Sequence, residues 1–157
     1  MEKNIRRAEP FEAETLTEIA HAAKRHWGYP ERWIECWRET LTITPEFIRS
    51  NEVYLAEQGE ATPGFYALIM QGEQAELEHM WVRPELIGTG LGRELMEHAK
   101  RMAVSRGVRV VNITADPNAL GFYLRMGAQK VGQESAPVDG NARVLPRLVL
   151  KLYSRQK

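Results

Sequence analysis

Apolar residues recur every three or four positions at Leu16, Ile19, Ala20 and Ala23, which predicts an amphipathic helix over residues 11 to 25. Pro30 followed by Trp33, Ile34, Trp37 and Leu41 keeps that period and predicts a second helix, so the N-terminal third reads as helical and aromatic. The period then falls to two. Residues 52 to 57 alternate as a strand, Gly59 turns the chain, and residues 63 to 71 return as its hairpin partner. After a turn at Gly72 and Glu73, residues 74 to 82 continue the meander. The helical period resumes at Leu91, Leu95, Ala99 and Met102 and stops at Gly107. Further on, β-branched residues 108 to 114 predict a buried strand, and Asp116 and Pro117 open a short helix from Asn118 to Met126. Residues 128 to 133 and 147 to 152 predict two closing strands around a polar loop containing Asp139 and Gly140. This order, with no repeat or linker, predicts one mixed α+β domain over residues 1 to 157.

Composition narrows the partners more than the fold. A chain of 157 residues suits one domain whose core buries about two-thirds of the unfolded surface. The 21 basic and 21 acidic residues cancel, so there is no global basic field to draw the protein to nucleic acid, and a small-molecule partner is expected. Cys36 is the only cysteine, which excludes an intrachain disulfide and favours a reducing compartment. No run approaches the roughly twenty apolar residues of a membrane span, and residues 1 to 7 hold no apolar signal core, so a cytoplasmic protein without a membrane partner is expected.

The candidate chemistry lies in residues 82 to 93, Val-Arg-Pro-Glu-Leu-Ile-Gly-Thr-Gly-Leu-Gly-Arg, between a strand-like run and a strongly helical one. Gly88, Gly90 and Gly92 let successive backbone N–H groups turn toward one ligand, and the helix starting near Leu91 adds the partial positive charge of its N-terminus. A pyrophosphate suits such a site. The dinucleotide fingerprint needs its third glycine one residue beyond Gly92, and a P-loop needs a Gly-Lys-Ser/Thr end where this chain has Arg93 and Glu94. The plain alternative is a glycine-rich turn without a ligand.

The flanking residues bear on that choice. Ile87-Gly88-Thr89-Gly90-Leu91-Gly92 resembles the acetyl-CoA loop Q/R-x-x-G-x-G/A of the GNAT N-acetyltransferase family. Upstream, Met80-Trp81-Val82-Arg83-Pro84-Glu85 is similar to that family's fourth strand and its exit. Downstream, Asn118 through Gly127 resembles its Asn…Phe-Tyr-x-x-x-Gly helix. Ile87 departs from the usual glutamine or arginine, and Ala128 from the phenylalanine that commonly follows the glycine. The resemblance implies a mostly antiparallel sheet of six to seven strands with about four helices, splayed between the fourth and fifth strands. It also implies direct transfer of an acetyl group from acetyl-CoA to an amine, without a metal. The acceptor implied is a small molecule, an amino acid or a peptide, and a homodimer is compatible with the chain. A reading from another class is a non-catalytic acyl-CoA-binding sensor or partner module that kept the loop.

By that resemblance, acetyl-CoA is held by Met80, Trp81 and Val82 on the strand, by Ile87, Gly88, Thr89, Gly90, Leu91, Gly92 and Arg93 in the loop, and by Asn118, Phe122 and Tyr123 in the short helix. Tyr123 is the implied general acid for the leaving thiolate; its plain reading is a hydrogen-bonded core aromatic. An alkylamine with a pKa near 10.4 is mostly ammonium at neutral pH, so a base is required. Strict alternation puts Glu76, Glu78, Met80 and Val82 on one face and His79 on the other, where a packed, hydrogen-bonded histidine is expected. Glu76 and Glu78 match the family's base or water-relay positions; their plain reading is solvated or cross-strand-paired carboxylates. Trp27 and Tyr29 are the candidate acceptor walls, while Trp33 and Trp37 have the spacing of a buried helix face.

Overall fold

The computed structural model describes residues 3–152; residues 1, 2 and 153–157 of the domain expected over 1–157 lie outside the described residues. Seven strands form one sheet in the order β1-β2-β3-β4-β5-β7-β6. They are β1 (Lys3–Arg7), β2 (Glu52–Gln58), β3 (Ala61–Gln71), β4 (Gln74–Val82), β5 (Val110–Thr114), β6 (Gln129–Ser135) and β7 (Val144–Lys151). All neighbours are antiparallel except β4 and β5. The described helices are α1 (Ala13–His26), α2 (Glu31–Cys36), α3 (Pro45–Ser50), α4 (Leu91–Ser105) and α5 (Leu120–Arg125). The expected mixed α+β architecture is therefore present.

The two faces of the sheet carry separate cores. On one, Leu16, Ile19 and Ala20 of α1 pack on Leu55, Phe65 and Ala67. On the other, Leu91, Leu95, Met96 and Ala99 of α4 pack on Tyr66, Leu68 and Leu77, with Tyr123 and Met126 closing the far side. Burying each such leucine contributes about 1.5–3 kcal/mol, so both helices are fixed firmly enough to position what their ends carry.

The N-terminal third departs from the helical expectation. β1 has one apolar residue in Lys-Asn-Ile-Arg-Arg and so no alternating signal. It is an edge strand, tied to its surroundings by backbone pairing with β2 and by the ion pairs Arg6–Glu57, Arg6–Glu12 and Arg7–Glu52. The helix expected through Leu41 ends at Cys36, because the Trp37 N–H is shared between the Trp33 and Ile34 carbonyls and the ladder tightens into turns. α3 was not anticipated from apolar spacing. Its start is nonetheless written in the sequence: Thr44 Oγ1 accepts from the Phe47 N–H at 3.0 Å and Pro45 occupies the first turn.

β4 is where the sheet opens. It pairs with β5 only from Gln74↔Val110 to Glu76↔Asn112, and beyond Leu77 the two strands separate. β4 also carries a bulge: Leu77 pairs with Leu68 and His79 with Ala67, leaving Glu78 as the extra residue. The bulge corrects the face assignment expected from strict alternation. Ala75 and Leu77 share the α4 core with Met80 and Val82, so Glu76 lies on the opposite face, together with His79 and Trp81 and toward α1. An inserted residue reverses the phase of a period-two pattern, which strict alternation along the sequence could not reveal.

Candidate active site

The glycine loop is shaped as an anion cradle. After a single 3-10 turn at Pro84–Leu86, Gly88 and Gly90 adopt φ values of 87° and 93°, which side-chain-bearing residues rarely occupy. A Cβ at either position would meet nothing within 4 Å, so the space above them is open to a ligand. Thr89 Oγ1 donates to the Leu86 carbonyl at 2.6 Å and pins the turn. The first intrahelical bond of α4 runs from the Glu94 N–H to the Gly90 carbonyl, and Gly90 supplies no side-chain cap. The Leu91, Gly92 and Arg93 N–H groups thus face the loop without helical partners. Gly92 has a different reason to be glycine: its Cβ would come within 3.2 Å of the Phe122 ring, so it lets α4 and α5 approach. Ile87 is half-exposed at the rim.

The open edge of β4 is the second component. Arg83 donates its N–H to Pro63 at 2.9 Å and its Nε to Thr62 at 2.9 Å, which fixes the strand end to β3. Gly64 permits this close approach, since a Cβ there would lie 2.7 Å from the Trp81 carbonyl oxygen. Because successive backbone groups alternate in direction, the Arg83 bond toward β3 aims the Val82 and Met80 backbone groups into the gap beside β5. These groups offer an extended ligand the pairing that β5 does not provide.

Tyr123, on α5, is buried in the core on the α4 side of the sheet, edge-on to Phe122 at 5.1 Å between ring centroids. No side chain or backbone group among the described residues hydrogen-bonds its hydroxyl, and the oxygen, unlike Trp33 Nε1, is not fully sealed from solvent, in contrast to the plain reading of a satisfied core phenol. Burial pushes the phenol well above its ordinary value, and the charge of Asp116 adds to the shift, so the hydroxyl stays protonated at neutral pH. α5 ends at Gly127, φ 101°, where the Ala128 N–H bonds back to the Tyr123 carbonyl at 3.0 Å.

The two carboxylates occupy distinct settings. Glu76 sits at the vertex of the opening, the last residue paired with β5, and is half-buried. Burial, then the neighbouring charge of Glu78, raise its pKa above the ordinary carboxylate value, and Glu134 adds a smaller upward push against Arg147. Glu78, at the bulge, is exposed. His79 is packed and hydrogen-bonded as expected: it accepts from Trp81 Nε1 at 2.9 Å, and burial lowers its pKa to about 4, which keeps it neutral.

Sequence reasoning named Tyr29 and Asn118 but missed the charged residues they join, Lys24, Asp116 and Arg143. Asp116, in the turn after β5, accepts from Lys24 Nζ at 2.6 Å, Tyr29 Oη at 3.0 Å, Arg143 Nη2 at 3.3 Å and the Asn118 backbone N–H at 2.8 Å. The Asn118 side chain donates to Asp116 and to Tyr29 Oη. Lys24 lies 4.4 Å from the Trp37 ring centroid and 6.0 Å from that of Trp81, so the cluster bridges the β4 and β5 sides of the opening. Of the two expected acceptor walls, Tyr29 joins this cluster. Trp27 is 39% exposed and packs edge-on against His26. Trp33 and Trp37, expected as core, are half-buried and pack against Tyr29. Lys24 could have been noticed, because it continues the four-residue spacing of Leu16 and Ala20 on the buried side of α1. Arg143 has no such signal. Among the described residues no group of three or more His, Cys, Asp or Glu side chains converges as a metal site.

The chain matches the family model described as "Acetyltransferase (GNAT) domain" over residues 19–140. It is 26% identical over 137 residues to the peptidyl-lysine N-acetyltransferase YjaB of Salmonella typhimurium, covering 76% of this chain and 89% of that protein. The solved structure of a GCN5-related N-acetyltransferase from Rhodopseudomonas palustris superposes with a TM-score of 0.79 at 17% identity, covering 97% of each chain. That of the PaiA N-acetyltransferase from Thermoplasma acidophilum, in complex with coenzyme A, superposes at 0.75 with 21% identity, covering 96% of this chain and 99% of that one. The split sheet, the glycine cradle at the start of α4 and the match over residues 19–140 together identify the chain as a member of the GNAT acetyltransferase family.

Proposed function

We propose that the protein transfers an acetyl group from acetyl-CoA to the primary amine of a small molecule, amino acid or peptide by direct attack. The observation that carries this reading is the parting of β4 from β5 beside the open cradle of Gly88 and Gly90. Bound acetyl-CoA supplies an electrophilic thioester carbonyl and a thiolate leaving group. The loop N–H groups hold its pyrophosphate, and the Met80 and Val82 backbone groups pair with its pantetheine arm. The Val82 N–H donates toward the carbonyl oxygen, a contribution of the kind worth about 2.7–4 kcal/mol in other enzymes.

Acceptor and cofactor approach from opposite faces. Glu76 on the α1 face and Glu78 at the bulge are on hand to take the ammonium proton, while Tyr123 protonates the leaving sulfur from the α4 side. At about 3.3 Å per strand residue, Glu78 lies roughly 7 Å and Glu76 roughly 13 Å along β4 from Met80. A proton therefore reaches Glu76 through water.

The test is release of free thiol from acetyl-CoA in the presence of a panel of amines, with mass spectrometry of the acetylated product. Wild-type protein is expected to release thiol only when amine is present. In Gly90→Val, acetyl-CoA affinity measured by calorimetry should collapse, since the side chain fills the cradle and cannot hold a φ of 93° without strain. A folded Gly90→Val protein with unchanged affinity would refute the phosphate cradle, and thiol release without an acetylated amine would refute the transferase.

A further inference from the structure

Lys24, Asp116, Arg143 and Tyr29 form a charged cluster that the chemistry of acetyl transfer does not use. Its ionic side chains are nearly out of water, at 10%, 9% and 10% exposure for Lys24, Asp116 and Arg143. Two cations share one carboxylate, leaving an excess of one positive charge. Asp116 is already saturated: six donor contacts reach its two oxygens, from Lys24, Arg143, Asn118 and the Tyr29 hydroxyl. Donors remain in surplus. The ammonium has three N–H groups and only one carboxylate contact, and Arg143 engages its partners through Nη2 alone. The one buried side-chain nitrogen or oxygen atom without a partner among the described residues is Trp33 Nε1, so the free Nε and Nη1 donors of Arg143 reach solvent.

The aromatic rings offset only part of the excess. Lys24 and Arg143 both lie over Trp37, at 4.4 and 4.8 Å, and over Tyr29, at 5.2 and 5.1 Å. Such contacts contribute about 0.5–2 kcal/mol each, well below the cost of leaving a cation without a counterion in a dry site. In keeping with this, burial pulls Lys24 below its ordinary pKa, Asp116 pulls it back up, and Arg143 repels it. The cluster also sits where an acceptor must enter. Lys24 reaches over Trp81 of β4, Asp116 follows the end of β5, and the Asp116 charge is felt at the Tyr123 phenol.

We propose that this cluster receives a carboxylate of the acceptor, so that the preferred substrate is a small amine that also carries a carboxylate. This rests on the transferase reading above. Arg143 presents its free edge to the carboxylate, Lys24 supplies a second donor, and Asp116 and Tyr29 hold both cations in place. The bland alternative is a clamp that merely fastens α1 and the β6–β7 loop to the end of β5. A clamp would not distinguish acceptors by charge.

Matched trios test it: alanine, methionine and phenylalanine, each beside its methyl ester and its decarboxylated amine, with an end-blocked lysine peptide as a further acceptor. Wild-type kcat/KM should favour the free amino acid by about tenfold or more in at least one trio, the size of one charge-assisted contact. Arg143→Gln should raise KM for the amino acid by a similar factor while leaving kcat and the ester's KM nearly unchanged. Lys24→Met serves as a second variant, and calorimetric titration of the N-acetylated amino acid reads binding apart from turnover. Equal use of amino acid, ester and amine, or a preference for the lysine peptide, would overturn the carboxylate site and leave the transferase standing. Equal losses for all acceptors in Arg143→Gln would support the clamp and overturn the proposal. Failure to acetylate any amine would remove the transferase reading and this inference with it.

Discussion

Replacing Tyr123 by phenylalanine is expected to lower turnover by about 10²- to 10⁴-fold while acetyl-CoA affinity and melting temperature barely move. The ring packs against Phe122 in both proteins, so only the hydroxyl changes. That hydroxyl has no hydrogen-bond partner among the described residues, and its removal therefore forfeits none of the roughly 1 kcal/mol that a satisfied phenol would contribute. The raised pKa keeps the proton on the oxygen until it is needed. A phenol above its usual pKa is a weak acid for a thiolate near 8.5 in water, but the same dry surroundings raise the proton affinity of the sulfur as well. Full activity of a folded Tyr123→Phe protein, with the chemical step limiting, would exclude this residue as the acid.

The second large effect is expected at the carboxylates. At least one of Glu76→Gln and Glu78→Gln should slow turnover about 10²-fold near neutral pH, and the double variant should be no faster than the slower single one. The loss should shrink at high pH, where the ammonium loses its proton without help. The pH profile separates the two residues. A base at Glu76 acts as the carboxylate, and the Glu76 pKa is raised, first by burial and then by Glu78, so with Glu76 as the base activity should fall as pH drops through a value above the ordinary carboxylate one. Removing the Glu78 charge lowers that pKa, and the acid limb in Glu78→Gln should move to lower pH. An acid limb that does not respond to Glu78→Gln would disconnect it from Glu76, and unchanged rates in all three variants would exclude both as the base.

The parts of the site legible in the sequence were those fixed by local backbone chemistry. Gly88 and Gly90 are glycines because of positive φ, Asp116-Pro117 marks a helix start, and Gly127 follows the end of α5; each signal spans a few neighbouring residues. What escaped depended on the partner strand or on distant segments. The bulge at Glu78 is a relation between β4 and β3, and it moved Glu76 to the other face from Met80 and Val82. β1 is an edge strand held by pairing and ion pairs, and its own pattern carries no alternation. The charged cluster joins α1, the turn after β5 and the segment before β7, separated by 92 residues between Lys24 and Asp116 and by 27 between Asp116 and Arg143. Only Lys24 left a local trace, a cation at a buried position of an amphipathic helix.

In the proposed reaction the amine attacks the thioester directly, with no acetylated protein on the way. A single-turnover experiment with isotopically labelled acetyl-CoA, quenched at successive times and resolved into protein, amine and thiol fractions, tests it. Label should pass to the amine at the same rate as thiol appears, with none on the protein at any time, and Cys36, exposed and free, should remain unmodified. A labelled protein that forms before the product and decays into it would contradict direct attack and replace it with a two-step transfer.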